Sequence, residues 1–348
     1  MNGADLNPVG GDAGAFGVNY ALRPHKFVDR KVFMEVLNRF GSCVSLDGHA
    51  YVGLGSFALE DHKLMNATFG TRTLISLEVE SDVVARQQYN KPLACIKPTN
   101  YSTNDFILHR ETILAGAGTD PDANIIAWFD MTSAQSVRAH VDSFGELLKG
   151  CKTGDVVRVT VDVDSKTLVR KLDAETSDQH HRRQLLQLRE LLGPYMSPGA
   201  TARKLSEKLG IANVIVQAFK LVAEDAFQND RSRLFQPLSL TTYADGHRML
   251  SVTGAVVKVV DVKKFKKRMN LGSIPGGASA WGSLTNIQIP QLTVWEKLNL
   301  DQHINVKTPT QLAAELGFRL HETISTEDLI DGYAMFHRFY PNFRHFVL

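Results

Sequence analysis

Short apolar runs alternate with amphipathic stretches through the first half of the chain. The apolar runs have the length and the Val, Ile and Leu content of buried strands, and they read HAYVGLG, RTLISLEVE, LACIKP, ANIIAWFD and DVVRVTVDV. Between them, apolar residues recur at helical spacing around residues 58–69, 82–90, 104–114 and 134–148. This repeated alternation predicts an α/β fold in which a mostly parallel sheet carries helices on both faces.

The chain ahead of the first strand divides into a polar lead-in and a helix. Residues 1–25 are rich in Gly, Ala, Asn and Asp and have no basic patch followed by an apolar run. They are therefore predicted to be a disordered lead-in and not a signal peptide. Apolar residues then recur at helical spacing and predict a first helix over about Lys31 to Arg39, which Gly41 ends.

The pattern changes after the fifth predicted strand. Helices are predicted over Gln179–Leu192 and within Ala200–Gln228, and two β-rich runs then flank the turn sequence Ala244–His247. A parallel sheet that closes with an antiparallel hairpin is the arrangement of S-adenosylmethionine methyltransferases, whereas a dinucleotide dehydrogenase continues in parallel. Residues 26–270 are therefore predicted to form a Rossmann-like domain of the methyltransferase type.

Two further segments follow this domain. Residues 271–285 are rich in Gly, Ser and Ala and are predicted to be a flexible linker. In residues 286–348, helices are predicted around Val294–His303, in a segment closed by Gly317, and from Thr326 onward. Short helices with these capping residues indicate a winged-helix or helix-turn-helix module, or else a plain helical docking domain. The terminal aromatic residues are predicted to lie in a core or against the main domain, and they are Phe336, Phe339, Tyr340, Phe343 and Phe346.

Candidate cofactor-binding residues follow the first three strands. Gly53 and Gly55 lie between a strand and a helix, where glycine lets the backbone approach a cofactor. Glu78 ends the second strand, where a carboxylate can accept hydrogen bonds from ribose hydroxyls; Glu80 has the same parity and is its rival. After the third strand, Asn100 is the predicted adenine-side residue, with Tyr101 and Asp105 as alternatives.

The candidate catalytic residue is Asp130, which ends the fourth strand. The carboxyl ends of such strands line the ligand crevice, so an acid there can position a methyl acceptor or take its proton. The preceding Trp128 and Phe129 are predicted to be core residues. The sequence has no (D/N)PP(Y/F) motif at this strand and no Pro-Cys nucleophile, which argues against amino-methylation and C5-methylation of DNA bases. The histidines show no metal-ligand spacing.

Charge and cysteine content change the picture in two places. Cys43, Cys95 and Cys151 are far apart and odd in number, which predicts reduced thiols in a cytoplasmic protein. The segment Lys258–Arg268 is strongly basic with a single acid. It predicts either a solvated edge strand or loop, or contact with nucleic acid or a partner protein. The residues for such a contact are Lys263, Lys264, Lys266, Lys267 and Arg268.

The chain also resembles a group of bacterial O-methyltransferase-like proteins that carry a small winged-helix domain at the C-terminus. The matching residues in the first half are Phe57, Asp61, Ile75, Ser76, Leu77, Glu78, Arg86, Asn90, Pro92, Trp128, Phe129 and Asp130. The run LTVWEKLNLDQHI and the last twenty residues resemble the group's C-terminal end. The resemblance implies S-adenosylmethionine binding at Gly53, Gly55 and Glu78, a site at Asp130, and a role in bacterial conflict or phage defence. Met131 and Thr132 depart from the group, which more usually has an aromatic residue after the Asp.

Three functions therefore compete. The leading one is a methyltransferase that uses S-adenosylmethionine and acts on oxygen. The second is a non-catalytic scaffold that contacts nucleic acid or a partner protein through its basic segment and its C-terminal module, because one fold can host many functions. The third is a dinucleotide enzyme, against which the predicted hairpin argues.

Overall fold

The computed structural model describes residues 23–131 and 136–341. The described residues do not include the first 22 residues of the predicted disordered lead-in. They also do not include Thr132, Phe343 and Phe346. The strands are β1 (Ala50–Gly53), β2 (Thr73–Leu77), β3 (Ile96–Thr99), β4 (Ile125–Met131), β5 (Val156–Asp162), β6 (Arg233–Asp245), β7 (His247–Lys258) and β8 (Thr285–Asn286).

The helices of the first half are α1 (Pro24–Gly41), α2 (Glu60–Phe69), α3 (Ser81–Asn90), α4 (Thr103–Gly116) and α5 (Val137–Lys149). Those of the second half are α6 (Ser165–Leu168), α7 (Ser177–Leu192), α8 (Ala202–Leu205), α9 (Gly210–Ala226), α10 (Val262–Met269), α11 (Val294–His303), α12 (Pro309–Leu316) and α13 (Thr326–Phe336). Every strand and long helix that the alternation predicts is present, with boundaries that differ by a few residues.

A single sheet organises the described residues in the order β3-β2-β1-β4-β5-β7-β6-β8. The first five strands run parallel, and β7 pairs antiparallel with both β5 and β6. Gly246 adopts a φ of 109° in the turn between β6 and β7, a left-handed conformation that glycine tolerates. The predicted parallel sheet closed by an antiparallel hairpin is therefore confirmed.

Each face of the sheet is covered by helices. On one face, Val157 and Val159 of β5 belong to the same apolar cluster as Phe144 of α5 and Phe219 of α9. On the other face, α1 and α10 pack on residues such as Trp128. Trp128 and Phe129 are both buried, as predicted for core residues.

Helix α1 begins at Pro24, earlier than the predicted start at Lys31. The sequence pattern missed its first turns because three charged residues there, Lys26, Asp29 and Arg30, point into the protein and are buried. Asp29 forms a fully buried ion pair with Arg158 of β5 and accepts hydrogen bonds from Thr241 Oγ1 at 2.6 Å and Ser251 Oγ at 3.0 Å. The sequence pattern places the charged Asp29 on the solvent side of the helix, whereas in the structure it is buried and paired with Arg158.

The predicted flexible linker at residues 271–285 is a packed segment, and that prediction is wrong. Ile274 and Ala278 are buried, and Ser239 Oγ of β6 donates a hydrogen bond to Gly276 O at 2.7 Å. A Cβ atom on Gly277 would collide with the Leu271 carbonyl oxygen. The small residues of this segment allow close packing against β6, and they do not signal mobility.

The C-terminal module consists of α11, α12 and α13 around its own small core, formed by Leu300, Leu312, Ile330 and Tyr333. Among the described residues after β8 there is no strand that could form a wing. The described part of the module is therefore helical, and the winged-helix prediction is not confirmed. Phe336 is buried in the main core, with Phe339 and Tyr340 packed against it, which confirms that these aromatic residues join the module to the main domain.

Candidate functional site

The carboxyl ends of β1, β2, β3 and β4 form one continuous edge of the sheet, because these strands are neighbours and run parallel. The chain order reverses between β1 and β4: β2 and β3 lie on one side of this point and β5 on the other. In open α/β sheets, ligands bind in the crevice outside such a switch point. The predicted residues Gly53, Glu78, Asn100 and Asp130 all lie at this edge.

The turn from β1 into α2 is tightly packed and conformationally strained. A Cβ atom on Gly55 would overlap Ser76 Oγ and lie 2.5 Å from the Leu59 side chain, and one on Gly53 would lie 2.6 Å from the Tyr51 hydroxyl. Ser56 and Leu59 have positive φ angles of 46° and 55°. Residues held in this region cost about 1–3 kcal/mol each and cluster at ligand sites.

Side chains of helix α3 contact the residues of this β1–α2 turn. Gln87 Nε2 donates to Ser56 O at 2.7 Å, and Asn90 Nδ2 donates to Phe57 O at 3.1 Å. The Arg86 guanidinium lies 3.8 Å from the centre of the Phe57 ring. Phe57, Arg86 and Asn90, which carry part of the family resemblance, therefore form one cluster that fixes the shape of the β1–α2 turn.

Glu78 and Asn100 meet where β2 and β3 end. The amide nitrogen of Asn100 donates to the carbonyl oxygens of Glu78 at 3.0 Å and Val79 at 2.8 Å, and Glu78 Oε1 accepts a hydrogen bond from Glu80 N at 3.1 Å. Asn100 thus holds the backbone that presents Glu78. Direct contact of either side chain with a cofactor stays a prediction.

The two alternatives to Asn100, which are Asp105 and Tyr101, differ in how accessible their side chains are to a ligand. Asp105 forms a capping box with Ser102 at the start of α4, accepting hydrogen bonds from its backbone nitrogen at 2.8 Å and its hydroxyl at 2.7 Å. These hydrogen bonds lower the pKa of Asp105. Tyr101 is 43% exposed next to Asn100, so its ring is the one more accessible to a ligand.

Asp130 is held in an ion pair that the sequence did not reveal. Lys26 Nζ of α1 donates to Asp130 Oδ2. The other carboxylate oxygen, Oδ1, is buried and has no hydrogen-bond partner among the residues that the structure describes. Asp130 also raises the pKa of the Tyr243 hydroxyl, second to the burial of that residue. A buried acceptor without a partner costs about 1–3 kcal/mol, so this oxygen is suited to receive a donor from a ligand.

Two further ion pairs attach α1 to this edge. His25 Nδ1 donates to Asp245 Oδ1 of β6 at 2.7 Å. Burial raises the pKa of Asp245, but the hydrogen bonds from His25 and Lys26 outweigh it and keep the pKa below its usual value. Arg30 Nε donates to Asp61 Oδ1 of α2 at 2.6 Å. Burial raises the pKa of Asp61 as well, and the Arg30 charge likewise brings it down.

A second acid lies at the end of β5, next to β4, and the sequence reading did not select it. Asp162 accepts hydrogen bonds from Asp164 N at 2.7 Å and Thr167 Oγ1 at 3.2 Å, and burial raises its pKa. His247 Nδ1 lies 4.0 Å from Asp162 Oδ2, and its side chain is exposed. Asp162 and His247 are distant in sequence and come together only because β5 pairs with β7.

The predicted basic contact residues lie away from this edge. They belong to helix α10, which follows β7 at the amino-terminal edge of the sheet. The segment is therefore helical rather than an edge strand or loop. Phe265 and Met269 anchor it in the core, while its basic residues Lys263, Lys264, Lys266, Lys267 and Arg268 are exposed.

A family model described as "Putative O-methyltransferase" matches residues 18–348, nearly the whole chain. The chain belongs to this family. Its predicted site residues Gly53, Gly55, Glu78 and Asp130 lie along the switch-point edge of the sheet described above. No curated protein matches the chain.

Among solved structures, the chain is similar to LepI in complex with SAM, at 10% identity and a TM-score of 0.33 over 64% of this chain and 46% of that chain. It is also similar to the plantazolicin methyltransferase BpumL in complex with SAH, at 7% identity and a TM-score of 0.37 over 66% of this chain and 85% of that one. The N-methyltransferase NodS from Bradyrhizobium japonicum WM9 matches at 9% identity and a TM-score of 0.33 over 66% and 97%. The chain thus spans about half the length of LepI. Similarity at this level transfers neither a substrate nor an activity.

No helix in the described ranges has both the length and the hydropathy needed to cross a lipid bilayer. The three cysteines are free; Cys151 is buried, and Cys43 and Cys95 are half-buried. Burial raises the pKa of the Cys151 thiol far above its ordinary value.

Proposed function

We propose that this protein is a methyltransferase that uses S-adenosylmethionine and transfers the methyl group to an oxygen acceptor. The observation that carries the proposal is the buried, unpartnered Oδ1 of Asp130 at the switch point of the sheet, on the strand next to β1 and its strained glycine turn. Membership in the O-methyltransferase family supports the same reaction class.

The residues at the edge fit S-adenosylmethionine in their chemistry. Glu78 would offer a carboxylate to the ribose hydroxyls, and the exposed ring of Tyr101 could pack against the adenine. Gly53 and Gly55 leave no room for a side chain, because a Cβ atom there would collide with Tyr51, Ser76 or Leu59, and glycine at these positions lets the protein backbone approach the cofactor closely. When bound, the cofactor supplies a methyl group made electrophilic by the positive sulfonium.

Asp130 is suited to accept a hydrogen bond from a ligand and not to act as the final proton acceptor. Its Oδ2 accepts a hydrogen bond from the Lys26 ammonium in a charge-assisted pair. Oδ1 has no such partner among the described residues and can accept a hydrogen bond from the hydroxyl of the methyl acceptor. The ion pair also fixes the carboxylate in position, which is the main requirement for an aligned transfer.

His247 is the proposed proton acceptor. It lies at the same edge, on the strand that neighbours β5, and its imidazole could take the proton of the acceptor hydroxyl. Asp162, 4.0 Å away, would stabilise the resulting imidazolium. His247 would thus hold the proton that the acceptor hydroxyl gives up.

The test is methyl transfer from isotopically labelled S-adenosylmethionine to a panel of small hydroxylated compounds. Asp130→Asn is expected to lose transfer about 100-fold or more while it retains cofactor binding, because the amide lacks the negative charge that pairs with Lys26 and that receives the ligand donor. Asp173→Asn, an exposed acid on the α6–α7 connection, is the matched control and should be as active as the wild type. Equal activity of Asp130→Asn and the wild type would contradict the proposed role of Asp130.

A further inference from the structure

A cavity lies at the amino-terminal edge of the sheet, away from the candidate active site. Its volume is about 770 Å³, and it is bounded by α9, by the first residues of β6 and by residues 279–282. Strand β6 runs parallel to β5, so its first residue, Arg233, marks the edge opposite to the one that holds Asp130. A volume of this size is typical of a site for an organic ligand.

The charged groups of this cavity are mainly basic. Lys220, Arg231, Arg233 and Lys266 line it together with one acid, Glu224. Arg233 is engaged by Asp230 at 2.6 Å, and Lys220 lies 3.6 Å from Glu224. Within the described ranges, the side chains of Arg231 and Lys266 form no ion pair. Both are exposed, so two cations are available to an anionic ligand.

One wall of the cavity is aromatic. The rings of Phe235 and Trp281 have centroids 5.9 Å apart at an interplanar angle of 37°. Phe235 is buried, whereas Trp281 is half-buried and remains accessible from the cavity. The amides of Gln217 and Gln228 also line the space. An aromatic face beside amides and cations matches the chemistry of an unpaired base joined to phosphate.

The cavity continues onto the basic surface of α10. Lys266 belongs to both, and Lys263, Lys264, Lys267 and Arg268 extend the positive charge along the helix. A single small anion would use only the cavity, whereas a polyanion can use the helix as well. A base within a duplex cannot reach the Trp281 ring, because its faces are stacked on its neighbours.

We infer that this protein binds single-stranded nucleic acid at its amino-terminal sheet edge, with an unpaired base against Trp281 and phosphates on Arg231, Lys266 and the α10 lysines. This inference is independent of the proposed methyl transfer, which uses the opposite edge of the sheet.

The test is fluorescence anisotropy of a labelled oligo(dT) strand with the full chain, measured over a range of salt concentrations. Each cation removed should reduce the slope of log affinity against log salt by about 0.7 for a single strand. The double variant Arg231→Ala/Lys266→Ala should therefore lower the slope by about 1.4. The control Lys97→Ala/Lys171→Ala removes two exposed lysines elsewhere and should leave the slope unchanged.

The aromatic wall is tested separately. Trp281→Ala should weaken binding about fivefold or more, because a stacked base contributes about 1–3 kcal/mol. Trp281→Phe keeps a ring and should retain most of the affinity, and Trp295→Ala removes an exposed indole on α11 and should change nothing. A duplex of the same length should bind more weakly than the strand. No binding of oligo(dT) at low salt, or equal binding of polyphosphate that Trp281→Ala does not affect, would overturn the inference.

Discussion

Replacing Asp29 with alanine is expected to destabilise the protein strongly, because it would leave the Arg158 charge alone in the core. Both side chains are fully buried, and the Arg158 guanidinium packs against the rings of Phe33 and Trp128, 4.8 Å and 4.6 Å from their centres. Apart from Asp29, the described partner of this guanidinium is Thr253 Oγ1, at 2.9 Å.

The magnitude follows from what each partner loses. Removing one member of a buried ion pair costs about 3–5 kcal/mol, since the remaining charge is not solvated. The hydroxyls of Thr241 and Ser251 also lose the acceptor that Asp29 provides, at about 1 kcal/mol each. The free energy of unfolding of Asp29→Ala should therefore fall by about 5 kcal/mol.

The assay is urea-induced unfolding followed by circular dichroism, with a double variant as the internal control. Asp29→Ala/Arg158→Met removes both charges and replaces the guanidinium with an apolar side chain, which is often neutral relative to an intact buried pair. The double variant should recover about 2 kcal/mol or more relative to Asp29→Ala. An Asp29→Ala protein within about 1 kcal/mol of the wild type, or a double variant less stable than the single one, would refute the reasoning.

Three further outcomes are expected. The folded-state pKa of Asp245 is lowered, so its pairing with His25 stabilises the protein at pH values above the unfolded-state pKa. This stabilisation is lost as the pH falls through the folded-state pKa. The free energy of unfolding should therefore depend less on pH, in acid, in Asp245→Asn than in the wild type. The Cys151 thiol, with its raised pKa, should react with a thiol reagent only on unfolding, whereas the two half-buried cysteines should react in the native protein. Gly55→Ala should lose S-adenosylmethionine binding and lower the thermal midpoint, whereas Gly116→Ala, at an open position, should do neither, as calorimetry and thermal unfolding will show.

The sheet could be predicted from the sequence because its strands are buried on both faces. The runs that became β4 (IIAWFDM) and β5 (VVRVTVD) are mainly apolar, and the Gly246 turn marks the hairpin directly. Strand ends were predictable for the same reason, so Glu78 and Asp130 were found as candidates without knowledge of the strand order.

The features that were missed depend on contacts distant in sequence. Lys26 and Asp130 are 104 residues apart, and a charged residue at the start of a helix gives no sign of burial until its partner is known. The segment around Gly277 illustrates a second difficulty. Glycine and serine are equally common in flexible linkers and in segments that pack closely against a strand, so composition does not separate the two. The Asp162–His247 pair was missed because β5 and β7 become neighbours only after the strand order is known.

Calorimetric titration with S-adenosylmethionine and S-adenosylhomocysteine tests the central claim most directly, with Glu78→Ala and Glu80→Ala as a matched pair. Both acids follow β2, but Glu78 is held by the Asn100 contact at the switch-point edge, whereas Glu80 is exposed at the start of α3. The account predicts that the wild type and Glu80→Ala bind both sulfur compounds and that Glu78→Ala loses most of this affinity. Binding that is absent in the wild type, or that is lost in Glu80→Ala and kept in Glu78→Ala, would contradict it.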